Sequence, residues 1–251
     1  MKEKILVVVK TYPNLSKKYK ETVCVAGINE QGEWRRLFPI PFRQLPFNKR
    51  FKRYDWIEVD IVKAREKLMR KESYHVESDS INVVGHLDTK NKWEERNKVI
   101  LPLKLKSIEE FNKLIKKDKT SLAIIQPKEI TDFTFTPIGE CREWERDLIE
   151  GNQKTLFGDY KSPLDKIAIK FSYIFKCDDP ECTGHNLMCE DWELLESWRS
   201  WKETYKTEVI LKQKIKEKYF EKMAKGNFHF FIGTDSYYNK PLIIGVYYPP
   251  K

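Results

Sequence analysis

The sequence predicts an α+β fold in which a β-barrel module, residues 1–140, precedes an α/β domain with a Cys/His loop, residues 141–251. Short strand patterns dominate the first third of the chain, and helical patterns lie between strand patterns in the last third. Four potential metal ligands also lie within thirteen residues of each other. With 251 residues, 40% of them hydrophobic and 13% aromatic, the chain can bury a substantial core.

The first third carries four strand patterns, over residues 5–9, 22–28, 34–38 and 56–62. Residues 5–9 form a continuous apolar run, whereas polar and apolar side chains alternate over 56–62. Turn-forming residues at 29–32 separate the second and third patterns and predict a hairpin. Short strands at this spacing favour a small barrel or a sandwich.

The middle third mixes helical and strand patterns. Ser107, followed three residues later by Glu110, predicts a capping box and a helix that runs to Lys117. Residues 122–125 and 133–136 are typical of strands, residues 140–150 of a short amphipathic helix, and residues 151–163 of a linker. We assign all residues up to 140 to the first module.

The last third predicts a compact α/β unit. A strand pattern over residues 167–175 leads into the Cys/His loop, and helical patterns follow over 190–205 and 208–224. Strand patterns over 228–233 and 242–248 end the chain, with a polar turn between them.

The Cys/His loop predicts a structural Zn²⁺ site. Its candidate ligands are Cys177, Cys182, His185 and Cys189, in the spacing C-x4-C-x2-H-x3-C. Thiolates and imidazole are the ligands that zinc prefers, and four protein ligands leave no position for a catalytic water. If Cys189 instead begins the following helix, His229 or Asp191 completes the set.

The net charge of +9 is confined to residues 1–53, where 13 Lys and Arg face 4 Asp and Glu. Aromatic residues alternate with these cations, as in proteins that stack bases and bind phosphates of single strands. We therefore expect a nucleic-acid partner, DNA or RNA, although a structural role for some of the rings is the simpler alternative. The expected contact residues are Lys10, Tyr12, Lys18, Tyr19, Trp34, Arg35, Arg36, Arg43, Arg50, Lys52 and Arg53.

Composition and motifs limit the other classes of function. No apolar run approaches the ~20 residues that span a bilayer, and five cysteines do not suggest a secreted disulfide framework. We expect a cytoplasmic protein with no membrane partner. Phosphate-binding loops, dinucleotide fingerprints, zinc-hydrolase helices and nucleophile elbows are absent from the sequence.

The leading hypothesis is therefore a nucleic-acid-binding accessory protein without chemistry of its own. One alternative is a metal-dependent nuclease or other hydrolase with a site between the domains. The other is a protein-interaction subunit of a larger complex, with Trp192, Trp198 and Trp201 as an exposed docking ridge.

Two segments together resemble a known family. ETVCVAGINEQGEWRRLFPIPF resembles the opening of bacterial modules described as dual OB-like domains. KFSYIFKCDDPECTGHNLMCEDWE, with HFFIGT and GVYYP near the end, resembles the C-terminal part of a poorly characterised bacterial family. The resemblance implies one or two OB-like barrels before residue 140, and it favours Cys177, Cys182 and His185 over Cys189 as metal ligands.

Overall fold

Two sheets of seven strands each organise the chain in the computed structural model, which describes residues 1–16, 20–65, 70–139, 145, 167–235 and 240–251. The first sheet contains β1 (Lys2–Lys10), β2 (Asn14–Ser16), β3 (Lys20–Asn29), β4 (Trp34–Ile40), β5 (Asp55–Lys63), β6 (Ser73–Val76) and β7 (Asn82–His86). The four strands predicted in the first third lie within β1, β3, β4 and β5, so these predictions are confirmed.

Five strands of the first sheet form a closed barrel. Their order is β1-β3-β4-β6-β5, and antiparallel pairing of β1 with β5 closes the ring. Strands β2 and β7 add to β3 and β5 outside it. The barrel is compatible with an OB-like fold. In the predicted hairpin, the Asn29 side chain accepts hydrogen bonds from the backbone N–H groups of Gln31 and Glu33.

The second sheet has the order β10-β11-β12-β14-β13-β9-β8. Its strands are β8 (Lys104–Leu105), β9 (Leu122–Ile125), β10 (Pro127–Pro137), β11 (Ile169–Cys177), β12 (His185–Cys189), β13 (His229–Thr234) and β14 (Pro241–Tyr247). Strands β8, β9 and β10 come from the segment that we assigned to the first module. The two sheets therefore divide between His86 and Lys104 rather than at residue 140, because β9 and β10 pair with β13 and β11.

The described helices are α1 (Lys90–Ile100), α2 (Ile108–Asp118), α3 (Trp192–Trp201) and α4 (Glu208–Lys216), and a π-helical stretch, Glu217–Lys222, continues α4. As predicted, the Ser107 hydroxyl accepts a hydrogen bond from the Glu110 N–H at the start of α2.

Strands β6 and β7 and helix α1 were not predicted. The predicted helix over 140–150, apart from residue 145, and the linker over 151–163 lie outside the described residues. Among the described helices, none is both long and apolar enough to span a membrane.

Barrel, second sheet and helices pack as three layers. Strand β1 is buried on both faces: Ile5 and Val7 point into the barrel, whereas Leu6 and Val8 meet the second sheet. This double burial accounts for the continuous apolar run in the sequence. The far face of the second sheet packs against α2, α3 and α4 in a separate aromatic-rich core.

A buried ion pair joins the barrel to the second sheet. The Arg53 guanidinium lies 3.3 Å from Asp191 and donates to the backbone carbonyls of Val8 and Val246. The other Asp191 oxygen accepts from the Leu194 N–H and so caps α3. Burial by itself lowers the pKa of Arg53, but the nearby Tyr54, Glu193 and Asp191 raise it overall, so Arg53 stays charged.

Replacing Asp191 with alanine should destabilise the protein by about 3–5 kcal/mol, because Arg53 and the backbone N–H groups of Leu194 and Val246 lose their buried partner. Glu193 contacts the same guanidinium at 3.3 Å, but its side chain is 48% exposed. Glu193→Gln should therefore cost less than about 1 kcal/mol. Urea unfolding of both variants measures the difference, and equal losses would contradict the structural role given to Asp191.

Candidate metal centre and basic surface

Four potential metal ligands meet beside the first turn of α2. One ligand atom from each of Glu109, Cys177, Cys182 and His185 lies within 4.8 Å of the other three. His185 Nε2 is 3.0 Å from a Glu109 oxygen and 3.3 Å from the Cys182 sulfur. Two sulfurs, one imidazole nitrogen and one carboxylate oxygen form a set that fits a tetrahedral metal site.

The loop between β11 and β12 positions three of these residues. Asp179 forms a turn in which its backbone carbonyl accepts from the Cys182 N–H and its side chain accepts from the Glu181 N–H. Its second carboxylate oxygen accepts from the Ser107 hydroxyl at 2.7 Å. Because Ser107 also caps α2, the Ser107 side chain connects the β11–β12 loop to the helix that carries Glu109.

The cluster contains a buried thiol and a buried carboxylate oxygen. Burial raises the pKa of the Cys177 thiol to about 12, although a hydrogen bond from the Ile108 backbone opposes this shift. The second Glu109 oxygen, Oε2, is buried and has no hydrogen-bond partner within the described part of the chain. A buried carboxylate oxygen without a partner is costly, and a bound cation would satisfy it.

The structure places the other proposed ligands away from this cluster. Cys189 is at the opposite end of β12 from His185, about 13 Å along an extended strand, and is buried in the aromatic-rich core. Glu109 lies in the cluster in its place, because β12 is a strand where the sequence suggested a loop. Asp191 is held by Arg53, and His229 is bonded to the Asn227 carbonyl and packs on Tyr247.

Sequence reasoning missed Glu109. The residue lies 68 positions before Cys177 and also fits the acidic first turn of a helix, which is sufficient reason for a carboxylate there. Only the packing of α2 beside the β11–β12 loop brings it to the thiols.

Most of the expected nucleic-acid contacts are structural. Arg35 is bound by Glu3 and Glu33 at 2.7 and 2.6 Å and is 7% exposed. Arg36 and Arg53 are also buried, at the contact with the second sheet. These three arginines are engaged inside the protein, so they do not belong to the exposed basic surface of the described residues.

Several other predicted contacts are packed against rings. The Lys10 amine lies over the rings of Phe42 and Trp192, at 3.9 and 4.2 Å. Burial lowers the pKa of Lys10 to about 8, and the charge of Glu193 opposes this shift. Tyr12 is buried beside Trp192, and Trp34 packs edge-on against Phe231.

A smaller basic surface remains exposed on the connection between β4 and β5. Residues 34–54 contain no Asp or Glu. Within them Arg50 and Lys52 are exposed, and Arg43 is partly exposed beside Glu21. Phe47, which was not among the predicted contacts, is 89% exposed in the short helical turn Phe47–Lys49. We call Arg43, Phe47, Arg50 and Lys52 the basic loop. Two other predicted contacts, Lys18 and Tyr19, lie outside the described residues.

A groove of about 610 Å³ lies between the barrel and the segment around α2. Trp34, Arg35 and Tyr74 line it from the barrel, and Lys104 and Leu114 from the other side. Arg35 stacks on Tyr74 at 4.9 Å and is already neutralised by two carboxylates. The groove is therefore amphipathic rather than strongly basic.

The tryptophans of α3 do not form a docking ridge. Trp198 is 2% exposed and packs on Phe171, whereas Trp201 is partly buried against Tyr205. Trp192 packs between Tyr12 and Phe42 of the first module. The three rings serve packing instead.

His229 should make stability depend on pH. Burial lowers its pKa to about 4, below the ordinary value of 6.5, so the unfolded chain binds the proton more readily. Stability should therefore fall as the pH drops from 6.5 to 4, with about 2 kcal/mol contributed by this residue. Urea unfolding of the protein and of His229→Gln across this range measures it, and identical pH profiles would contradict the prediction.

Comparison with known families divides the chain where the sheets divide. Residues 1–102 match the domain of unknown function DUF8758, and residues 104–251 match the domain of unknown function DUF8757. No curated protein sequence matches the chain. The two adjacent matches agree with the poorly characterised family expected from the sequence. Because the second match covers more than half of the chain, the protein belongs to the DUF8757 family, with a DUF8758 domain preceding it.

Proposed function

We propose that Glu109, Cys177, Cys182 and His185 bind a structural Zn²⁺ ion. The buried Glu109 oxygen, which has no hydrogen-bond partner among the residues described, carries this proposal, since a cation among the four ligand atoms would satisfy it. Zinc takes thiolate, imidazole and carboxylate ligands together, and four of them complete a tetrahedron. The ion would hold α2 against the β11–β12 loop.

The same arrangement disfavours the hydrolase alternative. Four protein ligands leave no open position for the water that a catalytic zinc activates. All four also come from residues 104–251, whereas the hydrolase hypothesis requires a site between the domains.

The purified protein should hold one zinc ion per chain by elemental analysis. Chelation should lower the free energy of unfolding by more than about 3 kcal/mol, because metal binding and folding are coupled. Cys182→Ser and Glu109→Gln should each weaken zinc binding at least about tenfold.

Cys189→Ser is the matched control for this experiment. It also removes a thiol from β12, but Cys189 lies in the aromatic-rich core away from the cluster. Cys189→Ser should keep the zinc, whereas loss of zinc equal to that of Cys182→Ser would refute the ligand set.

We further propose that the protein binds single-stranded nucleic acid through the basic loop. A phenylalanine that is 89% exposed beside exposed Arg50 and Lys52 carries this proposal. An exposed ring gives a base a surface for stacking, and the neighbouring cations attract phosphates. The binding surface is thus smaller than the one that the sequence suggested, and Phe47 is its centre.

Phe47→Ala should weaken binding of a short single-stranded oligonucleotide about tenfold, because one stacking contact is lost. Arg50→Gln and Lys52→Gln should each reduce by about 1 the slope of log affinity against log salt concentration. Fluorescence anisotropy at several salt concentrations measures both effects, separately for DNA and RNA.

Lys98→Gln is the control for the charge variants. Lys98 is an exposed cation on α1, paired with Glu94 and Glu95, and lies outside the basic loop. Its replacement should leave the affinity unchanged. Affinity that does not depend on salt, or that survives all three basic-loop variants, would overturn the proposal.

A further inference from the structure

Arg36 is a buried cation without a carboxylate partner among the described residues. Its side chain is 8% exposed, and its Nη2 donates to the Ser121 carbonyl at 3.0 Å. Its Nε is buried and makes no hydrogen bond to any residue that the structure describes. Burying a guanidinium costs free energy that one neutral carbonyl does not recover, so a further acceptor is expected beside it.

A second guanidinium, that of Arg70, contacts the C-terminal end of β13. Arg70 donates from Nε to the Thr234 hydroxyl at 2.8 Å, and from Nη2 to the carbonyls of Thr234 and Asp235. Arg36 packs against the preceding residue, since a Cβ added to Gly233 would lie 3.3 Å from its Nη2. Burial and the charge of Arg70 together lower the pKa of Arg36 to about 10.

No carboxylate of the described residues forms an ion pair with either arginine, although the charge of Glu72 favours the protonated form of both and that of Asp235 favours the protonated form of Arg70. Both oxygens of Glu72 accept from the Ser121 N–H, and one also accepts from the Ser121 hydroxyl at 2.8 Å. Burial and the charge of Asp235 raise the pKa of Glu190, which favours its neutral form. Both arginines thus bond only neutral acceptors among the residues that the structure describes.

We propose that Arg36 and Arg70, with the Thr234 hydroxyl, bind a phosphate group. Two guanidiniums offer the planar donor arrangement that pairs with phosphate oxygens, and the anion compensates the buried positive charge. The Thr234 hydroxyl accepts from Arg70 and can donate its own hydrogen to a phosphate oxygen. The site lies between the barrel and the second sheet and does not depend on the basic loop.

Calorimetric titration of the full-length protein with orthophosphate tests the proposal, with chloride at matched ionic strength as the reference. Arg36→Met and Arg70→Gln should each weaken phosphate binding at least about tenfold, since each removes a charged donor pair. Arg70 is only partly buried and serves as the deciding variant if Arg36→Met does not fold.

Arg96→Met and Phe47→Ala are the controls. Arg96 is also a buried arginine, but it stacks on Tyr54 at 3.7 Å and donates to the Leu87 carbonyl. Phe47 belongs to the basic loop, so its variant separates this site from nucleic-acid binding there. Both variants should bind phosphate as the unaltered protein does.

A parallel titration with a nucleoside 5′-monophosphate identifies the source of the phosphate group. Tighter binding of the nucleotide than of orthophosphate assigns the site to a nucleotide, and the reverse assigns it to the free ion. The proposal is refuted if neither ligand binds more tightly than chloride, or if both bind Arg36→Met and Arg70→Gln as tightly as the unaltered protein.

Discussion

The structure depends on an apolar layer that neither half of the chain buries by itself. Leu6 and Val8 on the outside of the barrel meet Ile124 and Phe231 of the second sheet, within a cluster of thirteen buried residues. Each such side chain contributes roughly 1.5–3 kcal/mol on burial, whereas a whole domain is stable by only about 5–15 kcal/mol. Two family matches therefore describe one structural unit, because either half alone would expose this layer to water.

The position of the positive charge follows from the same contact. The first 53 residues carry all of the net charge, yet Arg35, Arg36 and Arg53 are buried, and the last two bond the second sheet directly. Arginine suits this role because its planar group can bond several backbone carbonyls at once. Local excess charge in a sequence thus does not by itself indicate an exposed surface. In this protein much of the excess positive charge belongs to buried arginines that join the two sheets.

Local patterns predicted local structure well. The apolar run at 5–9, the hairpin at 29–32 and the Ser107 cap are each confirmed, because neighbouring residues determine them. The sequence also identified Cys177, Cys182 and His185 as one cluster. It could not identify Glu109 as a member of this cluster or show that Cys189 lies apart from it. Both facts depend on which strand and helix pack together. The boundary at 140 failed for a related reason: β9 and β10 resemble barrel strands locally, and only pairing with β13 and β11 assigns them to the second sheet.

The double burial of β1 has a consequence for biosynthesis. Ribosomes complete β1 and β3 early, but the strand that covers them, β14, ends at Tyr247. At elongation rates of about 5–20 residues per second, Leu6 and Ile28 stay uncovered for roughly 10–40 s in each nascent chain. During that interval the apolar outer face of the barrel is accessible to chaperones, and slower translation of the residues that lead up to β14 would prolong its exposure.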